Sequence, residues 1–401
     1  MRHRLALPLL CFATLLSSAC GGGGDGPAAV AVAPPAAVPA PGPGPDPDPG
    51  PAPLPTSSGE GRDDNSAPEP SAWAEVERKS AAAYERSGVS GMTVAVFDRN
   101  DVKIFERSYG DFSPTKRVAV ASASKLAAGT VIFGVIGQGL LSLDSTTAQV
   151  LGWTGARGGI TLRQLLSFTS GLLPDAPCID SPLTTLAACV DQVRSDPAAL
   201  VALPGTRFDY GGTHLQVAAR MAEVATGKTW NTLYAEHLRA PLGLGTESTF
   251  YTLPVQRIGT FNPRAGGGLT ASLDEYARIL AVSFHRGTYQ GRTVAPAALF
   301  DEQAVAPYPD ATIGVSPFAN LGLDFRYGLA AWLECSTPRT GCSTLSSPGA
   351  FGWTPWFDRQ AGYYAVIGLQ QVSVDSSGVV AFSVNLAQSL KQDIVHALGA
   401  R

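Results

Sequence analysis

The chain has 401 residues, 45% of them hydrophobic and 15% charged, with a formal net charge of −4. That near-neutral balance, without a basic run, zinc-finger spacing or RNA-binding signature, argues against a nucleic-acid partner. No apolar stretch after residue 20 is long enough to span a bilayer.

The first residues read as a secretory signal. Arg2, His3 and Arg4 give a basic start, Leu5 to Leu16 a short apolar stretch, and Ser17-Ser18-Ala19 small residues before Cys20. The junction resembles a bacterial lipoprotein lipobox, which would make Cys20 a lipidated first residue and tie the protein to a membrane. The leucine expected three places before the cysteine is Ser17, with Leu16 one place further back; ordinary cleavage near Ala19 is the alternative. Gly21, rather than Asp, after Cys20 leans against inner-membrane retention, so the expected location is exported, periplasmic or cell-surface. Residues 21–70 are Gly, Pro, Ala and Asp with hardly any large apolar side chain, and are expected to be disordered or polyproline-like. At ~3.1 Å per residue such a tether reaches on the order of 100 Å.

Residues 71–401 are expected to form the folded domain, long enough for one large core or two intimately packed lobes. Residues 72–86 have amphipathic helical periodicity. Gly91 to Phe97 and Val102 to Gly110 are β-rich runs joined by Asp98-Arg99-Asn100-Asp101, a hairpin signal. Ser122 to Gly139 reads as an apolar helix ended by Gly137 and Gly139. Leu162 to Ser167, Leu215 to Thr226 (closed by Gly227) and Asp274 to Phe284 read as further helices. Tyr327 to Glu334, Trp353 to Asp358 and Tyr363 to Val372 read as strands, and Ser389 to Leu398 as a final helix. Strands near both ends around a helical middle suggest an α+β fold: one antiparallel sheet flanked by helices, plus a mainly helical lobe inserted between its strands.

Ser122-Ala123-Ser124-Lys125 carries the chemistry. A spacing of three puts Ser122 and Lys125 on one helix face. A lysine there can take the hydroxyl proton when burial or a neighbouring cation lowers its pKa. Taken alone, Ser122 could be a helix N-cap and Lys125 a solvated lysine; Ser124 reads as structural. Cys178, Cys189, Cys335 and Cys342 fit disulfides in an oxidising compartment, and local pairing is the simplest of three connectivities. No Cys-x-x-Cys or histidine cluster points to a metal. His214, His237, His285 and His396 read as structural or surface residues. Phe351, Trp332, Trp353 and Trp356 fit core positions better than the wall of an acyl pocket.

Several ordered segments together resemble the serine β-lactamase-like hydrolases, which include class C β-lactamases, DD-peptidases, related carboxylesterases and 6-aminohexanoate-dimer hydrolases. Ser122 and Lys125 match the family's Ser-x-x-Lys. Tyr210 matches the tyrosine of its Tyr-x-Asn, with Gly212 at the asparagine. Ser347-Pro348-Gly349-Ala350-Phe351-Gly352 lies in register with its Lys-Thr-Gly or His-x-Gly, with Ser347 at the Lys/His position and Gly349 matching. Leu165-Leu166-Ser167-Phe168-Thr169-Ser170-Gly171-Leu172, Gly139-Leu140-Leu141-Ser142-Leu143-Asp144 and Gly266-Gly267-Gly268-Leu269-Thr270-Ala271-Ser272 add support. The resemblance implies a β-lactamase/transpeptidase-like fold and no cofactor. It implies an acyl-enzyme on Ser122, Lys125 as base or partner, and Tyr210 relaying the proton. It places the oxyanion hole at the N–H groups of Ser122 and Ala350.

Gly212 and Ser347 depart from that pattern. Gly212 supplies no side-chain amide for the substrate or the lysine, and Ser347 no cation for a substrate carboxylate. Loss of a charge-assisted contact costs ~1.5–3 kcal/mol, which disfavours β-lactams and D-Ala-D-Ala peptides. The expected substrate is therefore a small ester, with an amide second. A non-catalytic binding module on the same fold is the reading from another class. Oligomeric state is not legible.

Overall fold

The computed structural model describes residues 72–372 and 377–400. The signal, the lipobox with Cys20 and the tether expected at 1–70 lie outside the described residues.

Strand β1 (Gly91–Asp98) turns back through Asp98–Asp101 into β2 (Lys103–Gly110), as the hairpin signal predicts. Asp98 Oδ1 accepts the N–H groups of Asn100 and Val102 and closes the turn. The later strands are β3 (Arg326–Tyr327), β4 (Trp332–Leu333), β5 (Thr344–Ser346), β6 (Thr354–Asp358) and β7 (Tyr363–Gly368). All pairings in this sheet are antiparallel, in the order β2-β1-β7-β6-β5-β4-β3. The join between the two ends of the fold is β1 on β7, with Val94 opposite Ile367 and Val96 opposite Ala365.

Alternation along these strands assigns the sheet's two faces. Met92, Val94, Val96, Tyr363, Ala365 and Ile367 share one cluster with helices α1 (Ala74–Ser87) and α5 (Ser377–Gly399), through Val76, Leu386, Leu390 and Ile394. Ala95, Phe97, Tyr364 and Val366 belong to the larger cluster, which holds α2 (Ser124–Gly137), α3 (Thr213–Thr226) and α4 (Leu273–Phe284). Helix α2 is buried on every side from Ser124 to Val135, which is why its sequence is apolar all round rather than on a stripe. Shorter helices between residues 147 and 239 complete the helical lobe.

The expected strand Tyr327 to Glu334 is a tight reversal between β3 and β4. Gly328 N–H donates to Ala331 O at 2.9 Å, and Ala330 has φ of 58°. A Cβ on Gly328 would lie 1.9 Å from Gln303 O, so glycine is required there. The last strand ends at Gly368, short of Val372. The final helix starts at Ser377, well before Ser389, because Val379, Val384 and Leu386 continue its buried stripe. Gly378 and the Val379-Val380 pair mask that start in the sequence.

Candidate active site

The chain enters α2 through a 3-10 turn, Ala121–Ala123, so Ser122 precedes the α-helix rather than opening it. In such a turn residues three apart eclipse, and Ser122 and Lys125 still share a face. The turn is held on both sides. Val120 N–H donates to Leu269 O at 3.0 Å. Ser124 Oγ donates to Ala121 O at 2.6 Å and accepts Leu269 N–H at 3.0 Å, so Ser124 is structural. Ala121 has φ of 47°, a left-handed conformation uncommon for alanine and imposed by these contacts. Ser122 N–H, in the first turn, has no intrahelical acceptor and lies where the helix dipole favours negative charge.

Lys125 is 4% exposed. Its Nζ donates to Ser122 Oγ at 2.9 Å and to Gly266 O at 2.7 Å, and lies 4.7 Å from the centroid of the Tyr210 ring. Burial, followed by the positive charge of Arg264, lowers the amine's pKa to about 7, against the opposing pull of Asp175. A neutral amine beside a hydroxyl can accept its proton.

Tyr210 follows the short strand Arg207–Asp209, and its N–H donates to Val315 O at 2.9 Å. The ring stacks on Trp332 at 5.0 Å and meets Phe168 edge-on at 5.4 Å. Burial pushes its hydroxyl up to about 12, partly offset by hydrogen bonding to Ser122 and Trp332. The phenol therefore keeps its proton at neutral pH and is a donor. Gly211 is forced to be glycine, since a Cβ there would lie 2.1 Å from Pro174 O. Gly212 N–H donates to Asp175 Oδ1 at 2.8 Å.

The third segment meets the Ser122 turn directly. Ser347 Oγ donates to Ser122 O at 3.2 Å and is buried, so its hydroxyl holds the turn's backbone. Gly349 N–H donates to Trp353 O at 2.7 Å. A Cβ on Gly349 would lie 2.2 Å from Val120 O, so its backbone packs against the chain entering Ser122. Ala350, next along, has an N–H with no backbone acceptor among the described residues. Ser122, Lys125, Tyr210, Ser347 and Gly349 thus converge from three separated stretches of chain.

Two further residues reach this centre. Arg264 Nη1 donates to Asp180 Oδ1 at 2.7 Å, and its Nη2 lies 3.7 Å from Asp175 Oδ1. One cation between two carboxylates leaves the cluster net negative. Neither Asp175 nor Arg264 carries a local sequence signature; they meet Gly212 only through tertiary structure.

Trp332, Trp353 and Trp356 are buried core residues. His214 is buried between Ser170 Oγ and Asp209 O, each 2.7 Å away; burial lowers its pKa to about 4 and keeps it neutral. His285 meets Asp101 at 2.7 Å, away from Ser122. Disulfides join Cys178 to Cys189 and Cys335 to Cys342. Among the described residues no cluster of His, Cys, Asp and Glu is arranged to hold a metal ion, and no helix is long and apolar enough to cross a membrane.

The beta-lactamase family profile matches residues 74–387, and the chain belongs to that family. A crystal structure of a candidate beta-lactamase from Bacteroides dorei DSM 17855 superposes with a TM-score of 0.69 at 32% sequence identity, covering 80% of this chain and 98% of that one. Penicillin-binding protein 4 of Amycolatopsis lactamdurans is 29% identical over 177 residues, 40% of this chain and 45% of that protein. The D-alanyl-D-alanine-carboxypeptidase/endopeptidase AmpH of Escherichia coli K12 is 27% identical over 195 residues, 44% of this chain and 49% of that protein. The chain spans about half the length of these curated relatives. The fold is that of the β-lactamases and transpeptidases, as the α+β reading of the sequence expects.

Proposed function

We propose that the protein is a serine acyl hydrolase that forms an acyl-enzyme on Ser122 and acts first on small esters. The observation that carries this reading is the 2.9 Å contact between Ser122 Oγ and a buried Lys125 amine whose pKa is lowered to about 7. In acylation the Ser122 hydroxyl proton passes to Lys125 Nζ while Oγ bonds to the substrate carbonyl carbon. The N–H groups of Ser122 and Ala350 take the developing oxyanion. The tetrahedral adduct collapses, the bond to the leaving oxygen breaks, and Tyr210 passes a proton to it while recovering one from Lys125. Water then attacks the acyl carbon and gives a proton to the same pair; the bond from the acyl carbon to Ser122 Oγ breaks, and the pair returns that proton to Oγ, releasing the acid and free Ser122.

An ester is favoured over a carboxylate-bearing amide by the charge around the centre. Ser347 offers no cation, and Arg264 is already flanked by Asp175 and Asp180. Amide hydrolysis is the second reading, supported by the similarity to AmpH. A chain that binds without turnover is the third. The test is a fluorophosphonate and p-nitrophenyl butyrate on wild type and Ser122→Ala. An adduct on Ser122 with ester turnover, both lost in the variant, supports the hydrolase. No adduct on folded protein moves the assignment to a binding module. Comparing short acyl esters with D-Ala-D-Ala peptides separates the first two readings.

Residues 1–20 are proposed to direct export, with Cys20 as a lipid anchor. Incorporation of radiolabelled palmitate, lost in Cys20→Ser, checks it.

A further inference from the structure

The volume that a side chain at position 212 would enter is already filled. A Cβ on Gly212 would lie 3.0 Å from Asp175 Oδ1, 2.9 Å from Ile179 Cδ1 and 3.9 Å from Arg264 Nε. Asp175 Oδ1 also accepts the Gly212 N–H at 2.8 Å, which pins the turn that carries Tyr210. On the other side, a Cβ on Gly266 would lie 3.4 Å from Gly212 Cα and 3.5 Å from Lys125 Nζ. The Gly266 carbonyl anchors Lys125 at 2.7 Å. The turn presenting that carbonyl starts at Arg264, whose own carbonyl accepts the N–H groups of Gly267 at 3.0 Å and Gly268 at 2.7 Å. The two loops are tied by the Arg264 contacts to Asp175 and Asp180.

We propose that Asp175 and Arg264 are positioning residues that together replace the side chain missing at Gly212, holding the Tyr210 turn and the Gly266 carbonyl around Lys125 so that its amine meets Ser122 as a proton acceptor. The role in turnover rests on the reading of Ser122 and Lys125 as the catalytic pair.

The charges around Lys125 make the two residues separable. Tyr210, on the turn before α3, stays protonated and His214, on α3, stays neutral. Ser122 is uncharged. Arg264 from its glycine-rich loop and Asp175 from the loop after Pro174 are the charged groups that act on the amine, the first lowering its proton affinity and the second raising it, beneath the larger effect of burial.

The experiment compares wild type with Arg264→Gln, Asp175→Asn and Arg264→Lys. Asparagine at 175 can still accept the Gly212 N–H, so that variant removes charge while keeping the hydrogen bond. Two quantities are read across pH: kcat/KM on p-nitrophenyl butyrate, and the reactivity of Lys125 in a competitive acetic anhydride pulse followed by peptide mass spectrometry. The second needs no turnover. The expected result is that Arg264→Gln moves the Lys125 titration and the acid limb of kcat/KM up by about one pH unit, and Asp175→Asn moves both down. Arg264→Lys keeps the charge but has one nitrogen for two carboxylates, so the Lys125 titration should stay near wild type while kcat/KM falls. A Lys125 titration that is unmoved in both charge-removing variants, or moved in the same direction, overturns the proposal. Opposed shifts in Lys125 reactivity in a protein without ester turnover would uphold the positioning role and sink the hydrolase reading instead.

Discussion

The Lys125 amine lies over the face of the Tyr210 ring, 4.7 Å from its centroid. A ring face favours the protonated amine, whereas burial and Arg264 favour the neutral one. The balance falls near neutrality, where a small change in surroundings changes the proton count.

The rate for a neutral ester should therefore rise with pH, with kcat/KM half-maximal near pH 7. Below that pH Lys125 holds its proton and cannot accept another from Ser122. A profile flat through neutrality would place the base elsewhere.

The same lysine costs stability. In the unfolded chain the amine keeps its proton to pH 10.5, whereas in the folded protein it loses it at about 7. Between those values the unfolded state binds more protons, so stability rises with pH across the window, and the cost is full below it. Lys125→Met should abolish turnover yet stabilise the fold by up to about 5 kcal/mol below pH 7. The gain should fade toward pH 10.5. Denaturant titrations at acidic and alkaline pH check both the sign and the trend.

Tyr210→Phe keeps the stacking on Trp332 and Phe168 and removes the proton donor. It should lower kcat by ~10²–10⁴-fold with little change in melting temperature. Steady-state kinetics beside a thermal melt separate this from a packing defect.

Gly349→Ala would place a methyl 2.2 Å from Val120 O, a clash between two stretches of main chain. The third segment must shift off the Ser122 turn, and Ala350 N–H with it. A displacement on the order of 1 Å is worth ~10²-fold in rate. Slower fluorophosphonate labelling, with Ser122 still the labelled residue, is the expected signature.

Opening the Cys178–Cys189 bridge, which closes a sequence separation of 11 residues, should cost ~2–3 kcal/mol. The bridge steadies the segment whose Cys178 and Ser181 carbonyls accept Asn262 Nδ2 and whose Asp180 holds Arg264. Paired Cys178→Ala and Cys189→Ala substitutions should thus lower ester turnover as well as the melting temperature. Replacing Cys335 and Cys342, on the β4–β5 connection, should affect stability alone. A melt and a rate measurement on each pair test the contrast.

The parts of the fold legible in the sequence are those written by local pattern. The β1–β2 hairpin follows from alternation around an Asp-Arg-Asn-Asp turn, and α2 from an uninterrupted apolar run. Ser122 and Lys125 are found by spacing, and Tyr210 and Gly349 by register with short motifs. The β3–β4 reversal was not legible, because Gly328 is required by the carbonyl of Gln303, on a distant segment. The early start of α5 is hidden by Gly378. Asp175 reaches Gly212 across 37 residues, and Gly266 reaches Lys125 across 141. Such pairs leave no periodicity to read, which is why departures at Gly212 and Ser347 look like simple losses in sequence but are filled positions in space.

Ser122 and the Ser347 that braces its carbonyl are 225 residues apart, and β1 is paired on both sides only once β7 has arrived. A chain released from synthesis before the third segment would own its serine and its lysine but lack Ala350 and the strand that seats it. On the proposed mechanism, such a fragment is chemically silent. Reactivity is then withheld until the chain has been made through β7, some 240 residues after Ser122.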